Sequence, residues 1–263
     1  MIQTPSYTQI ALSSLAKKLD DDNPEIRAKA AESLGKLGQE TGIPALVNHL
    51  DDSHINVRLK IIQALGEISS ETAIPKLVST LTDSNPTIRT ATAGALGQIG
   101  GEKAVLHLVE LLDYDSEPSV RIAAAQSLGK TCSEDAIPPL VNSLKDKDIQ
   151  IVHFAGHGLA QIHTEKSINA LIQALESPDD KVRSIAAESL GQIASEQTLH
   201  ALIKTLQQDL SPDVRTNAVK SLGEIGLEDA IPALINALSD EEDSVRLSAT
   251  DAIGKIGSRY ALS

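Results

Sequence analysis

The chain has 263 residues, a net charge of −13, one Phe, three Tyr and no Trp. Such an acidic surface repels phosphate backbones and anionic lipid headgroups, so nucleic acid and membrane surfaces are poor partners. With so few aromatics, Ala, Leu, Ile and Val must supply the buried area, and small side chains demand close helix–helix approach.

The single cysteine, Cys132, rules out an intramolecular disulfide and fits a reducing compartment. The N-terminal residues lack the basic and apolar regions of a signal peptide. The longest uncharged run, Ile149–Thr164, is too short and polar to span a bilayer. A soluble cytoplasmic protein without membrane insertion is expected.

In chain order, the first predicted helix is Thr8–Leu19. An acidic loop, Asp20–Pro24, caps a second helix, Ile26–Leu37, and puts negative charge at its positive end. Ile26, Ala30, Leu34 and Leu37 share one face at helical spacing. The pattern then recurs. Its closing dipeptides are Leu34-Gly35, Leu65-Gly66, Leu96-Gly97, Leu128-Gly129, Leu159-Ala160, Leu190-Gly191, Leu222-Gly223 and Ile253-Gly254, at steps of 31 or 32 residues. The longer steps place one extra loop residue in Asp113–Pro118 and in Gln207–Pro212. First helices read like Ala73–Val78, ending at Leu81, with proline tolerated in the first turn at Pro44, Pro75, Pro138 and Pro232. A period this regular predicts an all-α, right-handed α-solenoid of eight helix–turn–helix repeats. It forms one domain over residues 1–263, its helix pairs ending near residues 38, 69, 100, 132, 163, 194, 226 and 257.

An arginine column opens the second helices: Arg27, Arg58, Arg89, Arg121, Arg183, Arg215 and Arg246, with Val152 as the gap. An aspartate column lies in the preceding loops: Asp21, Asp52, Asp83, Asp146, Asp209 and Asp240, failing at Ser177. The aspartate fails one repeat after the arginine does. That paired loss predicts a structural ladder in which each arginine bridges to the next repeat's aspartate, as Arg27 to Asp52 and Arg121 to Asp146.

Segments such as Glu25-Ile26-Arg27, Ala30 through Gly38, and Asp229 through Leu234 resemble the HEAT-like repeats of the phycobilisome-lyase type. The resemblance covers the whole chain and implies the solenoid fold. It also implies two functions of different class. One is a noncatalytic scaffold or adaptor gripping a partner protein. The other is a phycobilin lyase subunit or phycobilisome-associated chaperone acting on a bilin and its antenna protein. Proteins of this kind line the concave groove with second helices.

The fifth repeat departs from the pattern at four columns: Val152, Gly156, Gly158 and Ala160. It also places His153, Phe154 and His157 on the expected groove side. These three form a candidate partner-binding centre, flanked by Ile122, Gln126, Ile185 and Glu188, with Leu59 a further groove residue. The competing reading turns Phe154 inward over Gly156 and Gly158 to fill space.

His153 and His157, four apart on a helix, have a chelating spacing. No cysteine or carboxylate stands nearby along the chain at ligand spacing, and no His-Glu dipeptide of the di-iron hydroxylase kind occurs. No metal is therefore expected. His49, His54, His107 and His200 read as solvated surface, and Cys132 as a small packed residue without a neighbouring base. Glycines fall in repeat columns or turns, so no phosphate loop and no catalytic residue are expected. Under the scaffold reading no cofactor is required; a bilin belongs to the alternative. The expected partner is another protein with a neutral or basic surface. Caps at both ends of the array point to a monomer, or a heterodimer with that partner.

Overall fold

The computed structural model describes the backbone of residues 6–260 and the side chains to residue 258. Among these residues every regular element is helical, and sixteen α-helices form eight successive pairs. The chain divides into two compact units, Met1–Ala136 and Ile137–Ser263. The first holds α1 (Tyr7–Lys18) with α2 (Pro24–Leu37), α3 (Ile43–Val47) with α4 (Ile55–Ile68), α5 (Ile74–Leu77) with α6 (Pro86–Ile99), and α7 (Gly101–Tyr114) with α8 (Pro118–Lys130). The second holds α9 (Ile137–Ser143) with α10 (Ile149–Ile162), α11 (Glu165–Ala174) with α12 (Asp180–Gly191), α13 (Glu196–Gln208) with α14 (Pro212–Ile225), and α15 (Ile231–Ala237) with α16 (Asp243–Tyr260).

Proline decides the length of the first helices. α3, α5, α9 and α15, which carry it in the first turn, run 4 to 7 residues, each entered through a 3-10 turn. α1, α7, α11 and α13 lack it and run 10 to 14. In the third repeat the helix expected to end at Leu81 gives way after Leu77 to a 3-10 turn, Val78–Thr82.

Second helices begin on side-chain caps at Asn23, Asn85, Asp148 and Asp179, which satisfy otherwise free backbone N–H groups. Several end on a left-handed residue: Gly38, Ser69, Cys132, His163 and Gly226. Cys132 occupies that turn and is exposed, correcting the expectation that it packs. Leu34, Leu65, Leu96, Leu128, Leu159, Leu190 and Leu222 form the core column, each wholly buried. Ile26 departs from expectation at 40% exposed, because no described repeat precedes its own.

Within each unit the second helices pack on one another far more closely than the first helices do. The Leu-Gly glycines explain this. A Cβ on Gly35 would lie 2.7 Å from the Ala64 Cα, and one on Gly191 2.9 Å from the Ser221 Cα. No real side chain tolerates that separation, so glycine on one helix against Ala or Ser on the next sets the helix spacing.

Candidate functional site

The arginine column binds in two directions. Arg27 donates from Nε and Nη2 to the Asp52 carboxylate at 2.6 and 2.9 Å, and from Nη1 to the backbone carbonyl of Asp21 at 2.9 Å. Arg183 pairs with Asp209 at 2.7 and 2.9 Å, and Arg215 with Asp240 at 2.9 and 2.8 Å. Arg58 reaches Asp83 through Nη1 at 2.5 Å. Each aspartate also accepts the N–H two residues ahead, as Asp52 does from His54. The loop, the arginine of its own repeat and the arginine of the preceding repeat are thereby tied together. The Arg27 bond holds the Asp52 carboxyl below its ordinary range, and the same cause acts on Asp115 and Asp240.

One rung within a unit differs from expectation. Arg89 bonds Asp115 at 2.7 and 2.8 Å, a partner absent from the expected column although it follows its arginine by 26 positions, as Asp209 follows Arg183. Arg121 donates to the Asp115 carbonyl at 3.0 Å, whereas Asp146, expected as its partner, belongs to the second unit and accepts from the Asp148 N–H. Arg246 meets no further repeat among the described residues and bonds Asp243 with the carbonyls of Asp240 and Glu241.

The α10–α12 junction lacks both fastenings found elsewhere. Val152 and Ser177 replace the arginine and aspartate of its rung. Ala160 replaces the close-packing glycine, so the column that elsewhere lets second helices approach carries a Cβ here. The contact moves one turn back to Gly156, whose Cβ would meet Ile185 Cγ2 and Ser189 Oγ at 2.7 Å. α10 and α12 are consequently in looser contact than α12 with α14 or α14 with α16. Their N-terminal halves open into a cleft of about 610 Å³, lined by the apolar Ile149, Phe154 and Ile185 with His153, and by the polar Asp180, Lys181, Ser184 and Asp213.

Phe154 is half-buried and lines this cleft; its ring meets His153 edge-on, with centroids 5.6 Å apart. His153 and His157 lie 4.2 Å apart between ring centroids. The Nε2 of His157 is 3.6 Å from Glu188 Oε1, and its Nδ1 is 2.5 Å from the Gln192 amide. Burial and the adjacent His157 push the His153 imidazole below its ordinary range, with Glu188 opposing. Ile185, expected on the groove surface, is 8% exposed and lines the cleft. Leu59 on α4 and Ile122 on α8 are half-buried, Gln126 on α8 is exposed, and all three belong to the first unit.

Glu188 is the residue whose second role the sequence concealed. It stands 31 positions beyond His157, so spacing along one helix gave no sign of a carboxylate beside the histidine pair. Two other histidines are less solvated than expected. His49 bonds the Ala45 carbonyl and Asp20, and His107 has a buried Nδ1 without a hydrogen-bond partner.

A family model described as HEAT repeats matches residues 7–54, 43–129, 74–155, 105–191, 137–209 and 199–263. No curated protein matches the chain. Among solved structures, the complex of CpcE and CpcF of phycocyanin lyase from Nostoc sp. is 20% identical with a TM-score of 0.51, over 98% of this chain and 96% of that one. A Kap121p mutant is 15% identical with a TM-score of 0.57, over 93% of this chain and 33% of that one. The E. coli protein YIBA is 20% identical with a TM-score of 0.50, over 98% of this chain and 99% of that one. At these identities the likeness is one of fold.

Proposed function

The chain belongs to the HEAT repeat family, and from that premise we propose that it is a noncatalytic scaffold or adaptor holding a partner protein at the α10–α12 cleft. The observation that carries this reading is the cleft itself. It opens where the stack omits its ladder rung and its close-packing glycine, and it presents Phe154 and Ile149 beside polar groups. An apolar lining beside polar groups suits a buried side chain from a partner. The partner chemistry is neutral or basic, because the chain carries a net charge of −13 and Asp180 and Asp213 line the cleft. No described helix is long and apolar enough to cross a membrane. The exposed free thiol of Cys132 fits a reducing cytoplasm.

The test compares the full chain with Phe154→Ala, which deepens the cleft, and Ser184→Arg, which fills it, in capture of proteins from extract of the source cell. The reading expects one polypeptide retained by the parent chain and lost by both variants, with circular dichroism unchanged. Equal recovery by all three chains overturns it.

A second reading, a bilin lyase subunit or phycobilisome-associated chaperone, draws on the cleft volume of about 610 Å³. That lies within the range of small-ligand pockets, roughly 300–1,000 Å³. Incubation with a linear tetrapyrrole separates the two: a shifted absorbance band that Ser184→Arg abolishes favours the bilin.

A further inference from the structure

We propose that His153, His157 and Glu188 form a divalent transition-metal site, suited to zinc, with two imidazoles and one carboxylate as protein ligands and room for an outside ligand. The scaffold reading does not require it, and the metal can be titrated on the chain alone.

Three observations carry the proposal. First, one ligand atom from each of the three residues lies within 4.8 Å of those from the other two. Second, His157 Nε2 is buried without a hydrogen-bond partner, although Glu188 Oε1 stands 3.6 Å away. That separation is too long for a hydrogen bond. It is close to the edge, about 3.3 Å, of a tetrahedron built on zinc bonds of about 2.0–2.1 Å. Two ligand atoms on one cation would stand at this spacing.

Third, the opposite nitrogen of His157 is already engaged. Nδ1 is 2.5 Å from the Gln192 side-chain amide. The amide nitrogen faces Nδ1, so ligation through Nε2 requires the amide to turn and accept the Nδ1–H through its oxygen. Ligating histidines are commonly oriented in this way by an acceptor on the far nitrogen. Neutral imidazoles with one carboxylate suit zinc and related divalent ions, whereas calcium and magnesium prefer all-oxygen ligand sets.

The placement also separates this cluster from incidental surface histidines. His153 belongs both to the cluster and to the lining of the cleft, so an outside ligand approaches from a wall already built for binding. Gly156, one residue before His157, is what lets α12 approach this part of α10.

The test uses the full chain, stripped with EDTA and titrated with zinc chloride against a chromophoric chelator. One equivalent should bind with micromolar or tighter affinity and raise the melting temperature. Glu188→Gln, His153→Gln and His157→Gln should each weaken binding by about tenfold to a hundredfold. His49→Gln combined with His200→Gln should leave it unchanged. Cobalt(II) added to the parent chain gives a second readout that does not depend on a variant folding. It should shift and broaden the ring signals of His153 and His157 in NMR spectra. Millimolar affinity, equal affinity in the Glu188→Gln chain, or cobalt effects confined to other histidines would each overturn the proposal.

Discussion

Replacing Asp240 with Ala should cost about 3 kcal/mol, and the structure shows how that figure arises. The Arg215 guanidinium makes two charge-assisted bonds to Asp240, at 2.9 and 2.8 Å, between side chains 9% and 13% exposed. Such bonds contribute about 1.5–3 kcal/mol each when little solvated. The loss falls short of twice the upper value, because Arg215 keeps the carbonyls of Asp209 and Leu210 and has Glu241 at 3.6 Å. Arg215→Met substitutes an apolar stem for the charge and should cost less, about 2 kcal/mol. The double variant should be about as stable as Asp240→Ala alone, giving a coupling of about 2 kcal/mol. Urea unfolding followed by circular dichroism supplies the cycle. Hydrogen exchange in α14 and α16 covers the case in which one unit opens before the other. At about 2–4 °C per kcal/mol for a chain of this size, Asp240→Ala should lower the melting temperature by about 6–12 °C. A coupling below about 0.5 kcal/mol would show that the two charges are merely adjacent, and the ladder would lose its role in stability.

The gap in the ladder can be filled. Val152→Arg alone should destabilise, since it places an unpaired charge where the side chain is 2% exposed. Ser177→Asp should restore stability in the pair, with a coupling of about 2 kcal/mol measured by the same unfolding cycle and weaker partner capture as the cleft closes. Cys132→Gly should raise stability by about 1 kcal/mol, because Cys132 is held at a φ of 50° where glycine carries no Cβ penalty; an unchanged urea midpoint would argue against that strain. The acid dependence has a definite sign. Asp52, Asp115, Asp209 and Asp240 all titrate below their ordinary 3.8 in the folded chain. Their contribution is present above 3.8 and is lost as pH falls through the lower folded values. NMR titration of the carboxyl carbons should find each of these four protonating below 3.8, and a melting temperature that stays level below pH 3.8 would contradict the ladder.

The helical class, the eight pairs and the arginine column were legible in the sequence because each rests on short-range periodicity. Leucine at helical spacing buries one face, proline shortens a first helix, and a residue recurring every 31 or 32 positions must meet its neighbours in a stack. Asp115 belongs to the same column, 26 positions after Arg89 as Asp209 is after Arg183, and the repeat pattern alone did not single it out. The sequence also marked the fifth repeat as exceptional, through Val152, Gly156, Gly158 and Ala160. What those substitutions do was decided only in three dimensions. The spacing of α10 and α12 depends on which atoms meet across the pair, so the close fit of Gly156 against the Ile185 and Ser189 side chains, and the cleft beside it, has no signature along one chain. The meeting of Glu188 with His153 and His157 is of the same kind. Those residues lie on different repeats, and only the packing of one helix on the next brings a carboxylate to an imidazole that its own helix leaves unpaired.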